Sequence, residues 1–346
     1  MEENMEKVRL GRTGIIVNKN SFGALPIQRV DKETAKTILR HAYDNGFELF
    51  DTAYGYTDSE EKLGYALSDV RKNIIITTKT PSTTVEGFWS DLETSLKRLK
   101  TDYIDVYQFH NPKFVPKPGG ADGLYDAMLE AKKQGKIRFI GITNHRLDNA
   151  LEAVNSGLYD TLQFPFCYLA GDKDIELIKL CEEKDMGVLA MKALSGGLIT
   201  NAKAAYAFIA QFKNVAPIWG IQRMTELEEF ISYGKNPPVL DAELEEIIAK
   251  DRAELIGNFC RACGYCLPCP AEINIPTAAR MSLLLRRAPS AKFLEPAMQE
   301  EMNKIENCIG CGNCTSHCPY SLNTPELLRK NLEDYRNVLA KKVSVD

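Results

Sequence analysis

The chain reads as an α/β protein: a (β/α)8 barrel with an N-terminal hairpin, followed by a small, mainly α module rich in cysteine. Three observations predict this. Between Asn18 and Glu229, short β-branched or aromatic runs alternate eight times with segments of helical length, the pattern of a parallel sheet. Eight of the ten cysteines lie between Cys260 and Cys318, which marks a separate module. A length of 346 residues suits one large barrel plus an appendix better than one average domain.

Taken in order, Val8 to Val17 places the turn residues Gly11-Arg12-Thr13-Gly14 between two apolar runs, predicting a hairpin able to plug one barrel end. Strands are expected at Asn20–Ala24, Glu48–Asp51, Ile74–Thr78, Tyr103–Phe109, Phe139–Gly141, Thr161–Phe164, Gly187–Met191 and Ala216–Trp219. Apolar spacing of three and four predicts helices over Thr34–Asn45, Phe88–Leu99, Gly123–Lys133 and Asp174–Lys184. Pro237-Pro238 breaks the alternation, and Asp241 suits the N-cap of a charged helix running to about Ile256. The expected domains are therefore 1–253 and 254–346. Within the second, Pro276–Arg287 and Pro325–Leu339 read as helices.

Composition excludes several classes of function. The chain is 44% hydrophobic and 26% charged, enough to bury a core and unlike a disordered or collagenous sequence. A net charge of −4 supplies no field for gathering nucleic acid or an anionic membrane. Met1 to Leu10 lacks an apolar leader, and no apolar run approaches the ~20 residues that span a bilayer. A cytoplasmic protein is expected, with no nucleic-acid or membrane partner.

Reducing cytosol disfavours disulfides and turns the cysteines toward metal or redox chemistry. Cys308-Ile309-Gly310-Cys311-Gly312-Asn313-Cys314-Thr315-Ser316-His317-Cys318-Pro319 has the spacing of bacterial ferredoxins, so the module is expected to be ferredoxin-like. Cys260, Cys263, Cys266 and Cys269 repeat the logic with one residue fewer before the fourth thiol. Two zinc sites are the rival, but zinc loops usually use separated pairs rather than four thiols in one run. Two 4Fe–4S clusters are expected, with ligands crossing between runs. Cys260, Cys263, Cys266 and Cys318 would hold one, and Cys308, Cys311, Cys314 and Cys269 the other. Cys167 and Cys181 read as buried small hydrophobes.

Barrel enzymes carry their chemistry just past the C-terminal ends of strands. Here those positions hold Asp51 to Tyr56, Lys79, His110 with Asn111, and Thr143-Asn144. With the Leu10-Gly11-Arg12-Thr13-Gly14 hairpin and the Ser59-Glu60 helix start, residues 7 to about 233 resemble the aldo-keto reductase family. The resemblance implies a catalytic set of Asp51, Tyr56, Lys79 and His110; the family's five-residue Asp-to-Tyr spacing selects Tyr56 over Tyr54. It implies Tyr56 as general acid, Lys79 lowering the phenol's pKa, Asp51 orienting Lys79, and His110 polarising a carbonyl oxygen. It further implies Asn144 and Gln163 at a nicotinamide carboxamide, and Lys192, Leu194 and Gly196 along a pyrophosphate. Arg223 and Glu229 fall at the adenosine end. There Gly220 and Glu226 stand where NADPH-preferring members often carry Lys and Arg, so NADPH against NADH stays open.

The activity so implied is hydride transfer between NAD(P)H and a small aldehyde or ketone substrate. An alternative makes the chain an electron-transfer protein, its clusters serving a protein redox partner and its barrel a docking scaffold. Nicotinamide gives two electrons as hydride whereas cubanes pass one, and no flavin-like site is evident to split the pair. The loop Pro112 to Gly120 is expected to act as a lid over the substrate mouth.

Overall fold

A computed structural model describes residues 6–255, 259–287 and 290–344. The hairpin forms as expected, β1 (Lys7–Arg9) pairing antiparallel with β2 (Ile16–Asn18). Its Val8, Leu10, Ile15 and Val17 cluster with Leu49, Val106, Leu189, Ala216 and Ile218, closing the floor of the barrel with apolar side chains. Gly11 is obligatory here. It sits at φ +49, and a Cβ would lie 2.3 Å from the Asp185 carbonyl oxygen.

Eight parallel strands close the barrel: β3 (Ser21–Gly23), β4 (Leu49–Asp51), β5 (Ile75–Thr80), β6 (Ile104–His110), β7 (Ile137–Thr143), β8 (Thr161–Pro165), β9 (Gly187–Met191) and β10 (Val215–Gly220). Each expected strand is present, with ends displaced by at most two residues. Between or after them run α1 (Lys32–Asp44), α2 (Ser59–Leu67), α3 (Val85–Leu99), α4 (Leu124–Lys133), α5 (Leu147–Ser156), α6 (Asp172–Glu183), α7 (Ala202–Ala210) and α8 (Met224–Lys235). Local chemistry sets their ends. Asp31 caps α1 by accepting from the amides of Glu33 and Thr34, and Thr84 caps α3 by accepting from Gly87.

The barrel's N-terminal end is pinned by a buried carboxylate. Asp105, at 0% exposure, accepts from Arg71 (2.7 Å), Arg138 (2.8 Å) and the Ile76 amide (3.0 Å).

Two compact units result. One takes the chain to Ala193 and again from Lys203 to Asp241; the other takes Leu194–Ala202 and the chain from Ala242 onward. The helix α9 (Ala242–Leu255), read from sequence as the end of the first domain, thus falls in the second unit; Ile256 lies outside the described residues. The reason is chemical: Arg287 donates to Asp251 (2.7 Å), to Glu254 (2.5 Å) and to the Leu198 carbonyl (3.1 Å), tying both segments to its own helix.

Further on come α10 (Ile275–Ala278), α11 (Met281–Arg287), α12 (Pro296–Asn303), α13 (Asn313–Ser316) and α14 (Thr324–Leu339). The single helix expected over Pro276–Arg287 is two, parted at Ala279-Arg280, where the Arg280 side chain turns back to the Pro276 carbonyl (3.0 Å). Among the described residues, no helix is long and apolar enough to cross a membrane.

Removing the Asp105 carboxylate leaves the buried Arg71 guanidinium without its counter-charge. Asp105→Ala is expected to lower the unfolding free energy by about 3–5 kcal/mol, checked by urea denaturation against wild type.

Candidate active site and cysteine cage

Asp51 ends β4, Lys79 stands one residue from the end of β5 and His110 ends β6, so the closure of the sheet gathers all three at one rim. Tyr56 joins them from the turn between β4 and α2. Asp51 and Lys79 are buried, at 2% and 1% exposure, and form a tight ion pair. Lys79 Nζ donates to both carboxylate oxygens of Asp51 (2.8 Å each) and to the Thr52 carbonyl (2.5 Å). Asp51 also accepts from Thr77 Oγ1 (2.6 Å).

The Tyr56 ring lies over this pair. Lys79 Nζ is 5.3 Å from its centroid, and the His110 imidazole meets it edge-on at 5.9 Å. Tyr54, the other tyrosine of the loop, turns away to stack on Arg98 at 5.0 Å. Among the four expected catalytic residues the structure therefore brings all together, with Tyr56 rather than Tyr54 at the centre.

Electrostatics differ from expectation at one point. Burial, then the Asp51 charge, pushes the Tyr56 phenol above its ordinary value, and the neighbouring Lys79 does not bring it below that value. All three Lys79 donors are committed to oxygens, so its charge is largely cancelled where it arises. Burial also lowers Lys79, opposed by Asp51, and burial with the Lys79 charge drives His110 down to about 3. Imidazole is therefore neutral across the physiological range.

The residues expected at a nucleotide have varied surroundings. Gln163 is buried, accepts from Gln108 Nε2 (2.9 Å) and donates to Asp51 (3.4 Å). Asn144 is buried too; it donates to the Pro112 carbonyl (3.0 Å) and accepts from the Arg146 amide (2.8 Å). Both amides thus serve the protein's own network. Lys192, at φ +55, belongs to the barrel unit, while Leu194 and Gly196 (φ +66) belong to the second. There the Gly196 carbonyl accepts from Arg280 (2.9 Å). Arg223 is exposed and tied to Glu226 (2.6 Å), and Glu229 accepts from Tyr233 (2.8 Å).

Glu226 was read only as a departure from a pattern; its structural role is specific. Its carboxylate accepts from the amides of Gln222 and Arg223 (3.0 Å each), so an anion within the first turn of α8 ties down the two residues that lead into the helix. The loop expected as a lid is anchored: Pro116 accepts from Tyr159 Oη (2.5 Å) and Lys117 pairs with Glu152 (2.7 Å).

In the second unit one cavity is lined by five cysteines, Cys266 and Cys269 from the first run and Cys308, Cys311 and Cys314 from the second, with Ile273, Ile275 and Leu328 as apolar wall. Cys269, Cys308, Cys311 and Cys314 are one of the sets expected to cross between runs, but Cys266, expected in the other set, lines the cavity with them. Gly310 (φ +66) and Gly312 (φ +72) supply the loop's left-handed turns. Cys260 lies within electrostatic reach of Cys263 and Cys318, and Cys266 of Cys260, Cys263 and Cys314. Sulfur is the donor type that iron clusters require, and the five thiols on this apolar-walled cavity are donors of that type. Burial pushes Cys181 up to about 12, an inert thiol; His317 bonds the Asn313 carbonyl (2.8 Å).

With this geometry in place, comparison with known proteins identifies the barrel. Residues 19–213 match the aldo/keto reductase family. The chain belongs to that family. Residues 259–323 match a 4Fe-4S dicluster domain. The chain is 32% identical over 211 residues to an L-galactose dehydrogenase of Arabidopsis thaliana, covering 55% of this chain and 66% of that protein, slightly under two thirds. It is 27% identical over 226 residues to an NADH-specific methylglyoxal reductase of Escherichia coli, covering 57% and 69%. Its fold resembles the holo aldo-keto reductase of Bacillus halodurans (TM-score 0.63, 21% identity, 72% of this chain and 96% of that one). The aldo-keto reductase of Klebsiella pneumoniae in complex with NADPH gives a TM-score of 0.62 at 21% identity, over 71% and 94%.

Asp51→Asn strands the buried Lys79 cation without a counter-charge. Unfolding free energy is expected to fall by about 3–5 kcal/mol at pH 7. Because burial then depresses Lys79 further, the folded variant binds fewer protons than the unfolded chain as pH rises toward 10, so the loss is smaller at pH 10. Urea titrations at the two pH values check this.

Proposed function

We propose that this aldo/keto reductase family member reduces a small aldehyde or ketone to the alcohol with a nicotinamide nucleotide, Tyr56 being the general acid. The observation that carries the reading is the Tyr56 ring poised over the Lys79–Asp51 pair and edge-on to His110. When bound, the nucleotide supplies hydride to the carbonyl carbon. The chain's residues supply the rest. Tyr56 holds a proton that its raised pKa keeps in place and transfers it to the carbonyl oxygen as negative charge develops there. Lys79, kept charged by Asp51, stabilises the phenolate that this transfer leaves. Neutral His110 offers a ring N–H to the same oxygen.

Asn144 and Gln163 would meet the carboxamide, and Lys192 the pyrophosphate. The Glu226 carboxylate, paired with the Arg223 side chain, sets a negative charge where a further phosphate would come, so NADH fits this end better than NADPH. The cysteine unit would carry two 4Fe–4S clusters on the crossed ligand sets. A second reading, exchange of single electrons with a protein partner, is favoured by the exposure of Cys308 and Cys311.

Three experiments test these assignments. Tyr56→Phe should abolish carbonyl reduction while nucleotide binding, followed by fluorescence, is retained. In wild type the rate of reduction should be level from pH 5 to 9, since His110 is neutral throughout and Tyr56 keeps its proton; a limb near 6.5 would contradict the roles given. Cys269→Ala should lose about half the iron and sulfide of the anaerobically reconstituted chain, with one set of paramagnetic signals gone. Iron equal to wild type would remove Cys269 from the ligand set.

A further inference from the structure

Arg98, the penultimate residue of α3, takes no part in the chemistry above, yet its side chain reaches the loop that carries Tyr56. Three features bring it there. Gly64 of α2 faces the last turn of α3 so closely that a Cβ would lie 2.2 Å from the Arg98 carbonyl oxygen and 2.7 Å from Leu99 C. Only glycine allows that approach. Across the narrow seam, Arg98 Nη1 donates to the Tyr54 carbonyl (3.2 Å), and its guanidinium carbon stands 5.0 Å from the Tyr54 ring centroid. Glu60, 1% exposed in the first turn of α2, meets the same guanidinium at 3.5 Å.

Glu60 has a second bond that gives the arrangement its direction. It accepts from Thr78 Oγ1 at 2.7 Å, and Thr78 immediately precedes Lys79. The Tyr54 amide in turn donates to the Lys79 carbonyl at 3.1 Å. One residue of the loop, Tyr54, is therefore gripped on both sides, by the β5 backbone at its amide and by Arg98 at its carbonyl. Tyr56 follows two residues later. Its amide donates to the Ala53 carbonyl (3.0 Å), its carbonyl accepts from the Ser59 amide (2.8 Å), and Thr57 beside it is held at φ +39. Burial lifts the Glu60 carboxyl above its ordinary range against the pull of Thr78 and Arg98, a cost with no evident return in packing alone.

We propose that Arg98, oriented by buried Glu60, is a positioning residue that fixes Tyr56 relative to Lys79. The proposal rests on the reading of Tyr56 as general acid. A phenol displaced by a fraction of an ångström no longer meets the carbonyl oxygen as hydride arrives, and such misplacement costs rate rather than binding.

The test uses the full reconstituted chain, NADH and 4-nitrobenzaldehyde as carbonyl probe, with hydrogen exchange of residues 52–58 as a readout independent of turnover. Arg98→Ala is expected to lower kcat on the order of ten- to a hundredfold. Nucleotide affinity by fluorescence titration should be unchanged, Arg98→Lys should recover part of the rate, and exchange should quicken within 52–58 but not in the barrel strands. Unchanged kcat and exchange in Arg98→Ala would overturn the proposal. So would parallel losses of kcat, nucleotide affinity and strand protection, which describe a general structural role. Should Arg98→Ala fail to fold, Arg98→Lys and Glu60→Gln are read by the same criteria. A wild type inert toward aldehydes, with exchange changes still confined to 52–58 in the variants, would uphold the clamp and refute the reductase reading.

Discussion

The Asp51–Lys79 ion pair is the constraint around which the barrel's interior is arranged. Charges sealed inside a closed sheet are tolerated only when their remaining hydrogen-bonding capacity is met. Here it is met by neighbours that the strand register supplies: Thr77 opposite Asp51, Thr52 just beyond it, and Gln163 reaching across. Gln163 is itself held by Gln108, which finds space because Gly141 stands opposite it; a Cβ there would lie 2.7 Å from Gln108 Cγ. A polar chain thus runs from Gln108 to Lys79 through the middle of an apolar structure. Its members cannot shift independently.

This network explains why the site's acid behaves as it does. A lysine with free donors would draw the phenol toward ionisation, but one saturated by Asp51 and Thr52 leaves burial to dominate. The site is consequently one of neutral partners, phenol and imidazole, beside an internally compensated charge. Negative charge appearing on Tyr56 in the course of reaction would be the first to draw on the Lys79 cation.

Much of the fold was legible because barrel strands are short, buried and β-branched, and their ends recur at regular intervals. Asp51, Lys79 and His110 could be picked out as polar residues following such runs, and the cysteine module could be picked out from the spacing of two similar motifs. Local reading fails where a side chain acts at a distance in sequence. Nothing in Pro276–Arg287 announces that Arg280 turns back and parts the helix, and nothing near Glu254 shows that Arg287 will claim α9 for the second unit. Glu60, Arg98 and Gly64 look like ordinary residues of amphipathic helices. Their association depends on a helix crossing that sequence periodicity does not specify. α12, short and polar with no strong apolar stripe, gave no signal at all.

The segment Leu194–Ala202 lies between β9 and α7 in sequence, yet its carbonyls at Gly196 and Leu198 are taken by Arg280 and Arg287 from far downstream. The two units are therefore interleaved along the chain and not strung end to end. A gene cut after Asp241 would encode every barrel strand and helix but would orphan one of its loops. For this reason the cysteine-rich unit is not a detachable cassette: losing or exchanging it in evolution or by engineering would require the β9–α7 connection to be rewritten at the same time.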